Sequence, residues 1–96
     1  MAPSRALLSA SDVTARLDSL PKWRVQDGKL YRRFCFADFP TAFAFMTRCA
    51  FVAERLDHHP EWTNVYNKVD VRLSTHDVGG LTELDFALAA AMDDAV

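Results

Sequence analysis

From Pro40 to Asp57 the sequence is apolar around almost the whole girth of the helix it predicts. Phe39, Ala42, Phe43, Met46, Cys49, Ala50, Ala53 and Leu56 recur at helical spacing and form one stripe. Phe45, Phe51 and Val52 fall off that stripe. A helix of this kind is either central to a large core or covered by another subunit. The chain has 96 residues, enough for one domain but not for a large core. The sequence therefore predicts a single domain, residues 1–96, and a helix-mediated contact between copies with Phe51 on the exposed side. Scattered surface aromatics are the plainer alternative, since isolated exposed apolar residues are normal.

The segments around this helix alternate. Ser9 can cap a short first helix carrying Val13, Leu17 and Leu20, with Asp12 at the capping-box position and Pro21 as the stop. Lys22 to Gln26 and Lys29 to Ala37 read as strands joined by Asp27-Gly28, a dipeptide that favours a two-residue hairpin because both positions accept positive φ. Leu30, Phe34 and Phe36 share one face of the return strand, with Tyr31 and Cys35 on the other. Pro40 suits the first turn of the second helix, and His59-Pro60 closes it. Glu61 to Asn67 and Val69 to Leu73 alternate again around an Asn67-Lys68 turn. After Gly79-Gly80, Thr82 and Asp85 are spaced as a capping box, and Leu81 and Phe86 as a hydrophobic staple. The stripe of this last helix is Leu84, Leu88, Ala91, Met92 and Ala95. The order is α-β-β-α-β-β-α, an α+β domain with a four-stranded antiparallel sheet and helices packed on one face.

Composition closes off several chemistries. Three glycines, Gly28, Gly79 and Gly80, cannot make a phosphate-cradling loop or a dinucleotide fingerprint. No serine sits in a G-x-S-x-G elbow, and two cysteines are too few for a four-cysteine zinc site. Cys35 and Cys49 lie in apolar periodic runs, where buried inert thiols are the norm. A net charge of −2 gives no basic footprint for nucleic acid, and Arg33, Arg48, Arg55 and Arg72 read as scattered, solvated positions. The uncharged stretches are too short to span a bilayer, and the opening MAPSRALLSASD lacks a leader's apolar core, so a cytoplasmic, reducing location with free thiols is expected.

The histidines carry what chemistry remains. His58 and His59 are adjacent at a predicted helix end, and His76 follows a predicted strand. Glu54, Asp57, Glu61 and Asp77 lie near them in sequence. Glu54 and His58 are spaced to share a helix face, where a carboxylate orients an imidazole and stabilises its charged form. The negative end of the helix dipole has the same effect. If the second hairpin forms, its antiparallel pairing brings all three imidazoles to one rim, a place for general acid–base work. The plain alternative is a polar pair at a helix end. A metal site is the weaker reading, because no H-x-H or H-x-x-x-H spacing is present. Trp62 is a packing residue or, beside the histidines, a platform for a flat heteroaromatic ligand.

The stretch E-R-L-D-H-H-P-E-W-T-N-V-Y-N-K-V-D-V-R-L-S-T-H-D, Glu54 to Asp77, closely resembles pterin-4a-carbinolamine dehydratase. Gly79 to Asp85 (G-G-L-T-E-L-D), F-x-D-F at Phe36 to Phe39, A-F-x-F-M at Ala42 to Met46 and Trp23 fit the same family. The resemblance runs from about Leu8 to Met92. It implies dehydration of 4a-hydroxytetrahydropterin to quinonoid dihydropterin, recycling the pterin of aromatic amino acid hydroxylases, with no metal and no bound prosthetic group. It implies a pterin surrounded by His58, His59 and His76, with Glu54 and Asp57 beside them and Pro60, Trp62, Ser74 and Thr75 in the pocket. On this basis His58 and His76 are expected to form the acid–base pair. His59 then positions the substrate, and Glu54 with Asp57 tunes the imidazoles. Leu84 departs from the arginine of mammalian members. The resemblance also implies homodimers or homotetramers. Some members instead act as dimerisation cofactors of a homeodomain transcription factor, which makes a non-catalytic protein-binding module or assembly helper the alternative, with a nuclear location possible in that case. Any such role is protein–protein and not direct nucleic-acid binding.

Overall fold

The computed structural model describes residues 4–96. Met1, Ala2 and Pro3, the start of the segment read above as lacking a leader, lie outside the described residues. The chain forms α1 (Ala10–Leu17), β1 (Arg24–Gln26), β2 (Lys29–Cys35), α2 (Phe39–Leu56), β3 (Glu61–Val65), β4 (Lys68–Leu73), a 3-10 turn (His76–Val78) and α3 (Glu83–Asp94). This is the α-β-β-α-β-β-α order the sequence predicts. Among the described residues no helix is long and apolar enough to cross a membrane.

The first hairpin turns on Asp27 (φ 53°) and Gly28 (φ 76°), both in the left-handed region that a two-residue turn requires. The second turns on Tyr66 and Asn67, one residue earlier than the sequence suggests, with Val65 paired to Lys68. Tyr66 takes φ 53°. The Asn64 side-chain amide holds the turn by donating to the carbonyls of Tyr66 and Lys68 at 3.1 and 2.9 Å. The hairpins join through their inner strands, Leu30 opposite Leu73 and Phe34 opposite Val69, giving the antiparallel order β1-β2-β4-β3. This arrangement brings the Asp27-Gly28 turn, the start of β3 and the end of β4 to the same end of the sheet.

One sheet face is covered. Leu30, Phe34, Val69, Val71 and Leu73 are buried and share a core with Phe45, Leu88 and Met92. Phe45 packs its ring centroid 4.6 Å from that of Phe34 and 4.9 Å from that of Phe36. The other face is open. There Arg24 and Arg72 both lie over the Tyr31 ring, and Arg33 pairs with Asp70 at 2.8 Å. Arg33 and Arg72, read as scattered, are therefore neighbours across β2 and β4. Cys35 is exposed on this face, against the expectation of a buried thiol, whereas Cys49 is buried as expected.

The apolar stripe of α2 has a different phase from the one read above. The residues facing the core are Ala42, Phe45, Cys49 and Ala53. Phe39, Phe43 and Ala50 face outward with Phe51, and Phe45 takes the central place. Periodicity fixes the phase of a helix only when one side is polar, and here apolar residues occupy most of the circumference. In α3 the capping box forms as read: the Thr82 hydroxyl accepts from the first turn and Asp85 accepts from the Thr82 amide.

Candidate active site

The end of α2 sets the site. Asp57 adopts φ 50°, ψ 45°, a left-handed cap, and the His58 amide donates back to the Ala53 carbonyl at 3.0 Å. The chain thus reverses one residue before His58. The imidazole turns inward rather than continuing the helix face. The expected Glu54–His58 contact is absent for this reason. Glu54 instead meets His59, Oε1 to Nε2 at 2.9 Å, on the surface.

His58 is buried, and its Nε2 lies 2.6 Å from Oδ1 of Asp85, which is fully buried at the start of α3. A carboxylate can only accept, so this pairing places the ring proton on Nε2. The other carboxylate oxygen of Asp85 accepts from the Thr75 hydroxyl and from the Thr82 amide, both at 2.9 Å. The Thr75 and Thr82 hydroxyls are 2.8 Å apart. One carboxylate therefore ties together the α2 exit, the segment after β4 and the α3 N-terminus. Nδ1 of His58 has no protein partner among the described residues. No fully buried side-chain nitrogen or oxygen among them lacks a partner, so this nitrogen is not sealed from solvent, and His58 lines an open concavity.

That concavity, of about 360 Å³, is lined by His58, His59 and His76 with Asp57, Pro60, Ser74 and neighbouring acids. Antiparallel pairing of β3 and β4 brings His76 to the start of β3, as the hairpin reading requires. His76 is exposed, with Nε2 2.8 Å from Oε1 of Glu61. Lys29 donates to both oxygens of Glu61, at 2.9 and 3.1 Å. The Lys29 ammonium, and after it His76, hold the Glu61 carboxyl below its ordinary range. Asp57 is exposed and reaches Arg5 at 3.8 Å.

Of the residues singled out in the sequence, His58, His59, His76, Asp57, Pro60 and Ser74 share this one concavity. Thr75 lies just beneath, buried in the Asp85 network. Glu54 stands outside it, behind His59. Trp62 lines neither this concavity nor the larger one beside it, of about 610 Å³. It is half-buried and packs against the core opposite Val71. Leu84 is buried and borders neither. Sequence reasoning missed the site role of Asp85, and it counted Glu61 among the nearby carboxylates without its pairing to His76 and Lys29. Asp85 was visible only as a helix cap, and its second role depends on which side chain arrives from α2. The alternation of β3 puts Glu61 on the face away from Trp62 and gives no sign of Lys29. Among the described residues no group of three or more His, Cys, Asp or Glu is arranged to hold a metal ion.

Comparison with known proteins returns one family. The model described as Pterin 4 alpha carbinolamine dehydratase matches residues 6–95. Relatives of the chain include several proteins named "Putative pterin-4-alpha-carbinolamine dehydratase". The one from Sinorhizobium medicae is 57% identical over 92% of this chain and 86% of its own length. The one from Prochlorococcus marinus is 53% identical over 91% of each. A crystal structure of a transcriptional coactivator/pterin dehydratase from Brucella melitensis superposes with a TM-score of 0.90 at 47% identity, covering 94% of this chain and 98% of that one. A pterin dehydratase-like protein identified as a RuBisCO assembly factor in the alpha-carboxysome is similar at a TM-score of 0.62 and 24% identity, a likeness of fold alone.

Proposed function

Because the chain belongs to the Pterin 4 alpha carbinolamine dehydratase family, we propose that it is a hydro-lyase that dehydrates 4a-hydroxytetrahydropterin to quinonoid dihydropterin and so returns an oxidised pterin to its cycle. The observation that carries this reading is the convergence of three imidazoles, each paired with a carboxylate, on one concavity.

The reaction breaks the C4a–O bond and the N5–H bond, forms the C4a=N5 double bond and releases water. It needs a proton delivered to the departing hydroxyl and a proton accepted from N5. His58 and His76 are the pair in this proposal, each transfer contributing about 10²–10⁴-fold. Asp85 fixes the tautomer and direction of His58, leaving Nδ1 for the substrate, as a carboxylate behind a catalytic imidazole does in other enzymes. His76 lines the same concavity, with its Nε2 paired to Glu61. His59, backed by Glu54, positions the pterin together with Asp57, Pro60, Ser74 and Thr75. Trp62 supports the floor from the core side rather than stacking on the ligand. No bound cofactor enters the scheme.

The same proposal takes residues 1–96 as one domain working in the cytoplasm, with free Cys35 and Cys49 suited to a reducing compartment. It includes a homo-oligomer. Phe39, Phe43 and Phe51 stand exposed on the outer side of α2, with the Phe39 and Phe43 ring centroids 5.8 Å apart. Clustered apolar surface of this kind marks contact sites. The test is a stopped-flow dehydration assay with 4a-hydroxytetrahydropterin. Acceleration over buffer that is lost in His58→Ala and His76→Ala supports the proposal. No acceleration by folded protein overturns it in favour of a binding module.

A further inference from the structure

The segment before α1 is tied to the loop that follows the 3-10 turn. The Leu8 amide donates to the Leu81 carbonyl at 2.9 Å, and Leu7 lies over Gly80, where an added Cβ would come within 2.6 Å of its Cδ1. The Ser4 hydroxyl accepts from the Ala6 amide at 3.0 Å and bends the chain around Arg5. Arg5 then reaches the exit of α2. Its Nη2 donates to the Asp57 carbonyl at 2.9 Å and stands 3.8 Å from Asp57 Oδ2. Its Nη1 stands 3.8 Å from Asp77 Oδ1. Both acids line the three-histidine concavity. Asp57 immediately precedes His58, and Asp77 immediately follows His76.

Resting on the dehydratase reading, we propose that Arg5 is a positioning residue: its guanidinium clasps the α2 exit to the 3-10 turn and so holds His58 and His76 at the separation their proton transfers need. The two imidazoles are secured unequally. His58 is pinned by the buried Asp85. His76 is exposed, on a turn of three residues whose N-cap, Thr75, makes no side-chain capping bond. The Thr75 hydroxyl is committed to Asp85 instead. The turn is the half that yields first, and Arg5 ties it to the half that is anchored in the core. A guanidinium suits the task, because its planar fork engages a carboxylate on each side, whereas an ammonium is a single point charge. The Asp57 carbonyl also sits at the C-terminal end of α2, where the helix dipole favours a cation. Three carboxylates and no cation line the concavity: Lys29 answers Glu61 from outside, and Arg5 answers Asp57 and Asp77. Exposed ion pairs are individually weak. A weak tie still matters here, because misplacing a reacting group by about 1 Å costs on the order of 10²-fold in rate.

The experiment replaces Arg5 by Met, which keeps much of the length and removes the charge and the donors, and reads turnover, binding and backbone opening together. Arg5→Met should lower kcat about threefold to fivefold, the scale of an exposed ion pair. It should leave Kd for a stable 7,8-dihydropterin within about twofold, as expected when positioning rather than binding is lost. Asp77→Asn should give the same loss, and the double variant no further loss, because the two substitutions remove one contact. At about 1 M salt, where the Debye length is about 3 Å, wild-type turnover should fall toward that of Arg5→Met. Arg5→Lys should lie between the two. The Val78 and Gly79 amides, which donate to the Thr75 carbonyl, should exchange with solvent about threefold faster in Arg5→Met while the α2 amides stay unchanged. Unchanged exchange in the turn, or losses from Arg5→Met and Asp77→Asn that add, overturns the clasp. Faster exchange with unchanged kcat overturns its positioning role and leaves the dehydratase. Absent dehydration by the wild type with Arg5-dependent exchange removes the dehydratase and leaves the clasp as a tie between the turn and α2.

Discussion

Asp85 Oδ1 lies 2.6 Å from His58 Nε2, across 27 positions of sequence, with the carboxylate wholly buried and the imidazole nearly so. A buried pair of this kind is costly to break from one side, because the remaining group loses its partner without regaining water.

His58 and His76 should therefore separate in their effects on stability. His58→Ala should lower the dehydration rate and also cost about 3–5 kcal/mol of unfolding free energy, because it leaves Asp85 short of a partner. His76→Ala should lower the rate by about 10²-fold or more while changing stability by less than about 0.5 kcal/mol, as expected of an exposed residue. Urea unfolding alongside the rate assay reads both. Equal stability losses in the two variants would contradict the structural half of the prediction.

The open sheet face makes a pH prediction. The Tyr31 hydroxyl donates to Asp70 Oδ1 at 2.6 Å, and this bond first, then burial, raises the phenol above its ordinary value. The Arg33 hydrogen bond first, working against burial, holds the Asp70 carboxyl below its ordinary range. The contribution of Asp70 to stability is thus complete above the ordinary carboxylate value and is lost as pH falls through the depressed one. That of Tyr31 is complete below the ordinary phenol value and is lost as pH rises through the raised one. Asp70→Asn in a Tyr66→Phe background should lower the phenol midpoint in an ultraviolet titration. An unmoved midpoint counts against the hydrogen bond.

The two thiols should react at very different rates. Cys35 is exposed, whereas burial pushes the Cys49 thiol up to about 11. Only the thiolate attacks a disulfide reagent. In native protein a chromogenic disulfide should titrate one thiol quickly and the second only on unfolding. Rapid release of two equivalents from folded protein would place Cys49 at the surface.

Phe45 and Phe51 test the phase of α2. Phe45→Ala should cost about 3–5 kcal/mol, because its ring fills the space between the sheet and the helices. Phe51→Ala should leave protomer stability within about 0.5 kcal/mol. It should weaken self-association measured by sedimentation if the outer face of α2 meets another copy. Comparable stability losses from both substitutions would return Phe45 to the outside.

Local chemistry alone determined a large part of this molecule. The Asp27-Gly28 turn, the Thr82–Asp85 cap, the alternation of β4 and the order of elements follow from preferences acting within a few residues. The shared rim of the three histidines followed as well, because antiparallel pairing of adjacent strands fixes which ends meet. Three features waited for tertiary structure. The phase of α2 was undetermined because apolar residues surround it, and only docking against the sheet chose Phe45 over Phe39 and Phe43. The partner of His58 was undetermined because one left-handed residue, Asp57, turns the chain away from Glu54 and toward α3. The union of Lys29, Glu61 and His76 needed the β2–β4 pairing, a contact between two hairpins that neither announces by itself. Each is a long-range choice among arrangements that local sequence leaves nearly equal, and packing of the whole chain is what separates them.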